Sequence, residues 1–195
     1  MRAILFFLTV TFPLLAQLNM LVFAGSTRAD SYNKQLASLA ADVGREMGAN
    51  VTLIDLKDYP MPFYDADLEK KGMPKQVKKF RDLMMQNDAI VIASPEYNGS
   101  VSAVLKNAID WASRSEEGAP STDAFKGKKF ALMSASPGRG GGARGLVHLK
   151  MIIENVGGTV LPDEISVPNA HTAFDKKHLP ELKKDIQSEL KPLFK

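Results

Sequence analysis

Residues 20–56 constrain the fold more than any other part of the chain, because they read as strand, turn, helix and strand in close succession. Residues 20–24, MLVFA, are an apolar run of strand formers, and Gly25 breaks it. Leu36, Leu39, Ala40, Val43 and Met47 then recur at the spacing of one helix face, so a helix is expected over residues 31–47, closed at Gly48. A second strand follows at residues 51–56. Two strands joined by a helix within about 35 residues demand a parallel, right-handed crossover, and hence an α/β protein whose sheet is covered by helices.

The remaining chain repeats the unit. A loop with Pro60 and Pro62 leads to a helix with Pro74 in its first turn and Val77, Phe80, Leu83 and Met84 on its buried side. Residues 89–93 form a short, wholly apolar strand, the pattern of a strand covered on both faces, and it must stop at Ser94-Pro95. PEYNGS reads as a loop, and Ser102 starts a helix burying Val101, Val104, Leu105, Ala108, Ile109 and Ala112. Trp111 near its end is either core or part of a contact with another element. A fourth strand at residues 129–135 is followed by a stretch with five glycines in ten residues, 136–145, and a helix over 143–156. Residues 159–161, resuming at 165–167 beyond Pro162, supply a fifth strand, and Leu179, Leu182, Ile186, Leu190 and Leu193 mark a closing helix.

The turn after the first strand carries the first chemical signal. A strand-to-helix turn aims the first N–H groups of the helix, at the positive end of its dipole, into one small volume. Ser26, Thr27, Ser31 and Asn33 surround that volume with uncharged donors, and Arg28 adds a fork suited to phosphate oxygens. Residues 25–33 therefore read as a phosphate cradle, the plainer alternative being an ordinary helix start capped by Asp30 or Ser31.

Composition removes several function classes. With no cysteine among 195 residues there is no disulfide framework, thiolate metal site or cysteine nucleophile, and three histidines without ligand spacing give no expectation of a metal. The net charge of +3 is spread over helices that also carry acids, so no nucleic-acid face is expected. Residues 1–19 form an apolar leader of uncertain status: Arg2 and the run 3–16 have the layout of a secretory signal, yet Leu14 occupies the position where a small residue is expected, and Pro13 interrupts the run. Residues 20–195 are expected to form one domain that folds without this leader, located in the cytoplasm, with export or membrane anchoring through residues 1–19 as the alternative.

Three segments, GSTRADSYN at 25–33, SPEYNGSVSAVLKNAIDW at 94–111 and SASPGRGGGARG at 134–145, resemble the flavin-contacting segments of the NAD(P)H-dependent FMN reductase family, over about residues 20–171. The resemblance implies a flavodoxin-like fold: a doubly wound, five-stranded parallel sheet of order 2-1-3-4-5 with helices on both faces. In that order the ligand lies beyond the carboxyl ends of the strands, between the first and third, where all three segments converge. It also implies FMN as cofactor, NADPH or NADH as reductant, a small electron acceptor, and a homodimer or homotetramer. By residue it assigns Ser26, Arg28, Ser31 and Asn33 to the FMN phosphate, Pro95, Glu96, Tyr97 and Asn98 to the edge and face of the isoalloxazine, and Ser136 and the glycines Gly138, Gly140 and Gly141 to its pyrimidine side. No side chain is assigned as acid or base, since hydride passes directly to the flavin. A side chain at Gly141 is expected to obstruct turnover more than folding.

Two other readings compete. Gly138, Gly140 and Ala143 satisfy G-x-G-x-x-A between a strand and a helix, with Asp163 downstream as a ribose acid, which would make a nicotinamide-only dehydrogenase. A flavin carrier or sensor without turnover is the other. Carrier flavodoxins are typically strongly acidic, whereas the pI here is about 9.0.

Overall fold

The computed structural model describes residues 17–194, so the expectations for the leader fall outside the described residues up to position 16. β1 (Asn19–Ala24) leads through a turn into α1 (Tyr32–Glu46) and β2 (Asn50–Asp55). β2 pairs with β1 in parallel, Met20 beside Val51, as the crossover requires. A short helix α2 (Ala66–Glu69) and α3 (Lys75–Gln86) precede β3 (Ala89–Ala93), which lies on the other side of β1. PEYNGS is not an open loop: β4 (Glu96–Tyr97) and β5 (Ser100–Val101) form an antiparallel hairpin. Asn98 and Gly99 turn it with φ of 52° and 77°, the positive angles of the tightest hairpin turns, and the Asn-Gly pair was the sequence signal for it.

After α4 (Ala103–Ala112) comes β6 (Lys129–Ala135), parallel to β3, and then α5 (Ala143–Asn155). The fifth position is filled twice, by β7 (Thr159–Val160) beside the start of β6 and by β8 (Ile165–Val167) beside its end, with Pro162 in the break. A short helix α6 (Ala170–Ala173) and α7 (Leu179–Leu190) complete the chain. The order β2-β1-β3-β6-β7 is the flavodoxin-like 2-1-3-4-5 expected above.

Both faces of the sheet are covered, which is why its central strands are apolar without alternation. From β1, Met20 and Val22 belong to a cluster with Leu36, Ala40 and Val43 of α1 and Ile186 and Leu190 of α7. Leu21 and Phe23 point the other way, into a cluster with Phe80 and Met84 of α3, Leu105 and Ile109 of α4 and Leu149 and Ile153 of α5. Phe23 and Phe80 meet edge to face at 5.4 Å. Emptying that contact by Phe80→Ala costs about 3–5 kcal/mol.

One boundary differs from expectation, and one open alternative is decided. Residues before Met20 already belong to the fold: Leu18 O accepts from Asn50 N at 2.8 Å, Asn19 O from Asp88 N at 2.9 Å, and Gln17 Nε2 donates to Gly48 O at 3.0 Å. Trp111 is core, fully buried, with Nε1 donating to Pro62 O at 2.8 Å. Among the described residues no helix is long and apolar enough to cross a membrane.

Candidate functional site

Every strand of the sheet ends on the same side, and the loops leaving β1, β3 and β6 meet there. The cradle is held from beneath. Gly25 N donates to Ala93 O at 2.9 Å and Ser102 Oγ to Gly25 O at 2.6 Å, so β3 and the N-cap residue of α4 fix where the turn begins. A Cβ at Gly25 would lie 2.9 Å from Leu105 Cδ2, and that close approach requires glycine.

Ser31, not Asp30, caps α1, its Oγ accepting from Lys34 N at 3.4 Å. The N–H groups of Tyr32 and Asn33, in the first turn, have no acceptor within the helix and point past its end. Ser26 Oγ accepts from Arg28 N at 3.3 Å, and Arg28 folds back to give Nη2 to Asp30 O. Hydroxyls, helix-start N–H groups and one guanidinium thus border a single volume, an arrangement suited to an anion with several oxygens.

That volume belongs to a cleft of about 260 Å³ lined by Ser26, Arg28, Ser31, Tyr32, Asn33, Pro95, Glu96, Tyr97, Ala135, Ser136 and Pro137. Of the twelve positions singled out from the sequence, Ser26, Arg28, Ser31, Asn33, Pro95, Glu96, Tyr97 and Ser136 come together here. Asn98 is exposed at the hairpin turn, and Gly138 and Gly140 are exposed on the loop beyond Ser136. Gly141 is placed differently from its neighbour. It is buried at φ 58°, and a Cβ there would lie 2.3 Å from Ser166 Oγ and 2.9 Å from Pro168 N. A side chain at Gly141 therefore damages the fold first, contrary to the expectation from sequence, whereas at Gly140 it would enter open space.

Asn33 has a second task. Its Oδ1 accepts from Ala135 N and its Nδ2 donates to Ala135 O, both at 2.9 Å. On that side of β6, Ser94 N still serves Met133 O, but β3 then ends and Pro95 has no N–H. The Asn33 amide stands in for the missing strand and keeps a second Nδ2 hydrogen beyond the one given to Ala135 O.

Glu96 ties the hairpin to α5. Its Oε1 takes Arg144 Nε at 2.8 Å and its Oε2 takes Gly145 N at 3.2 Å. Burial raises the affinity of this carboxyl for a proton, but Arg144 and the helix-start N–H outweigh it and hold the group below the usual carboxylate range. Glu96 is thus an ionised, compensated wall of the cleft. The sequence reading missed Tyr32, whose ring lies parallel to that of Phe174 at 6.3 Å and lines the cleft beside the cap. Its position directly after the N-cap was the available signal. The described residues contain no group of three His, Cys, Asp or Glu side chains able to hold a metal.

Residues 18–172 match the model of a protein family described as NADPH-dependent FMN reductase. Among curated relatives, the chain is 38% identical over 161 residues to an NAD(P)H-dependent FMN reductase of Pseudomonas aeruginosa, covering 81% of this chain and 82% of that one. It is 35% identical over 141 residues to a quinone reductase of Escherichia coli, covering 70% of each. Among solved structures, the flavoenzyme NAD(P)H:(acceptor) oxidoreductase FerB from Paracoccus denitrificans superposes with a TM-score of 0.72 at 27% identity, over 90% of this chain and 96% of that one. The glycine-rich fingerprint follows β6 and not the first strand, and the strand order is flavodoxin-like, so the nicotinamide-only reading is set aside. With the family model spanning most of the described fold and all three converging loops, the chain belongs to the NADPH-dependent FMN reductase family.

Proposed function

We propose that this family member takes hydride from NADPH or NADH onto FMN held in the cleft and passes it to a small acceptor such as a quinone, a flavin or an azo compound. The observation that carries this reading is the composition of one cleft, anion-binding at one end and walled by main chain and rings at the other. The donor set fits a terminal monophosphate: Arg28, Ser26, Ser31 and the first N–H groups of α1 face one volume. Pro95, Glu96 and Tyr97 would flank the ring and Ser136 would stand at the opposite wall, with Gly138 and Gly140 on the loop beyond it, while Asn98 and Gly141 serve the hairpin turn and the packing against β8. FMN, when bound, supplies the hydride-accepting and hydride-donating chemistry.

The chain's own part is positional and electrostatic. Arg28 and the helix dipole neutralise the phosphate, and the Asn33 clamp fixes the distance from α1 to β6. Glu96 keeps its charge compensated by Arg144, so the wall adds little net negative charge beside the ring. The reading includes self-association into a homodimer or homotetramer, and location in the cytoplasm, with export or anchoring through residues 1–19 as the alternative that N-terminal sequencing of the mature protein decides. The test is spectroscopic. Purified protein mixed with FMN and freed of excess should retain a flavin spectrum, bleach on adding NADPH, and recover on adding a quinone. Protein that retains no flavin refutes the cleft assignment; retention with bleaching but no acceptor turnover makes it a carrier or sensor.

A further inference from the structure

Three guanidiniums stand at the cleft or on its rim, and two of them are committed. Arg28 serves the anion end, where the FMN phosphate is placed above. Arg144 is held by Glu96, through Nε at 2.8 Å and Nη2 at 2.6 Å. Arg139, in the loop between β6 and α5, is exposed, and its side chain forms no hydrogen bond or ion pair among the described residues. The loop beneath it is nonetheless fixed. Gly138 N donates to Ser136 Oγ at 3.2 Å, and Gly138 O accepts from both Gly141 N and Asn169 N at 3.3 Å. Gly140 O accepts from Ala143 N at 3.0 Å and from Ser166 Oγ at 3.2 Å. The carbonyls on either side of Arg139 are thus tied to the start of α5, to β8 and to the residue capping α6, whereas the N–H groups of Arg139 and Gly140 have no acceptor among the described residues. No neighbouring side chain covers them: a Cβ at Gly140 would meet nothing within 4 Å, and one at Gly138 only Ser136 Oγ at 3.6 Å. Free main-chain donors on a braced loop, beside an unpaired guanidinium, make a donor set for an anion, separate from the cradle at the start of α1.

Which anion it would take follows from the chemistry of the reductant. NADPH and NADH differ only by a phosphate monoester on the 2′-oxygen of the adenosine ribose, a group carrying about 1.5 to 2 negative charges at neutral pH. With FMN in a cleft of about 260 Å³, no enclosed room remains for the adenosine half of a dinucleotide, which must lie over the rim. Arg139 is on that rim, three positions beyond Ser136 and two beyond Pro137, both of which line the cleft. The surrounding charge is compatible, because Glu96 is the one carboxylate among the cleft-lining residues and Arg144 compensates it.

We infer that Arg139 binds the 2′-phosphate of NADPH and so sets a preference for NADPH over NADH. The inference rests on the hydride-transfer reading above and names the residue that selects its reductant. The test loads the full chain with FMN and titrates it calorimetrically, without turnover, with adenosine 2′,5′-bisphosphate and with adenosine 5′-monophosphate. Arg139→Ala should weaken the bisphosphate about tenfold, the size of one hydrogen-bonded charge contact, and the monophosphate much less. The ratio of kcat/KM for NADPH to that for NADH should fall by a similar factor. Arg139→Lys keeps the charge without the planar fork and should recover part of both losses. Arg45→Ala removes the same charge from the far end of α1, where Arg45 pairs with Asp42, and should leave the selectivity at the parent value. An unchanged bisphosphate affinity in Arg139→Ala, an equal loss in Arg45→Ala, or a larger loss in Arg144→Ala overturns the assignment. Flavin retention in the same samples separates the two possible failures. A parent chain that retains no flavin overturns the hydride-transfer reading and this inference with it, whereas retained flavin with unchanged affinities overturns the role of Arg139 alone.

Discussion

Replacing Asn33 by alanine isolates what the clamp contributes. The side chain is 3% exposed, its two hydrogen bonds to Ala135 are 2.9 Å long, and Ala135 itself is 4% exposed. Truncation therefore leaves a buried N–H and a buried C=O unpaired at the end of β6, each worth about 1–3 kcal/mol when its partner is removed. Together they predict a loss of about 2–6 kcal/mol, which for a chain of this length corresponds to about 4–24 °C in Tm. Denaturant unfolding followed by circular dichroism measures it. Because the clamp sets the distance between α1 and the loop after β6, FMN and riboflavin should weaken together. The conservative variant Asn33→Asp sharpens the test: the introduced carboxylate keeps the bond from Ala135 N but turns an oxygen toward Ala135 O. Facing that carbonyl in a buried place, the carboxyl should have a raised folded pKa, so the variant should be least stable at neutral pH and regain stability as the pH falls and the group protonates. A loss under 1 kcal/mol for Asn33→Ala, or no pH difference between the two variants, would refute the clamp.

Other expectations follow from the same geometry. Arg28→Ala removes a charged donor from the anion end alone and should weaken FMN by about ten- to 150-fold, from about 1.5–3 kcal/mol, while riboflavin titrates unchanged; equal losses would mean a damaged fold. Gly141→Val should lower the Tm, whereas Gly140→Val should leave it near the parent value and reduce turnover with NADPH; the reverse pattern would contradict the placement of these two neighbours. Glu189 is buried, and that burial, with Asp163 and Glu164 nearby, raises its pKa to about 7 against a partial offset from Lys150. Its folded value lies above the unfolded one, so its contribution is complete below about pH 4.5 and falls away as the pH rises toward 7. Glu189→Gln should flatten stability across that window, gaining at most about 3 kcal/mol at pH 8 relative to the parent, and identical pH slopes in the two proteins would reject this.

How much of this was legible beforehand depended on how far apart the interacting residues are. The strands at residues 20–24 and 89–93 were readable because burial on both faces leaves them no polar position, and the crossover rule then fixed their direction. Pro162 announced the break in the fifth position for an equally local reason, a missing N–H. The cradle was legible as a list of residue types but not as a division of labour. Asn33 looked like one more donor for a ligand, and its partner lies 102 residues away. Nothing within its own helix distinguishes an amide that faces a phosphate from one that replaces a strand. Glu96 and Arg144, 48 residues apart, pair only because the hairpin folds back onto the start of α5. The Asn-Gly turn that folds it back was in the sequence all along.

The two glycines make the same point at the smallest scale, since their positions differ by one residue and their codes not at all. Gly141 is glycine because β8 and Pro168 crowd it, and Gly140 faces open space where a cofactor or a nicotinamide could pass. A residue type in a loop therefore names a set of permitted environments, and the strand packed behind it selects among them. The cleft is built from loops, but its spacing is set by the ends of β1, β3 and β6 and by the Asn33 amide that joins two of its walls. Binding of FMN and stability of the sheet edge should consequently fall together at Asn33, whereas at Arg28 FMN binding should fall alone. That contrast is a consequence of topology, and residue chemistry alone would have predicted the same outcome at both.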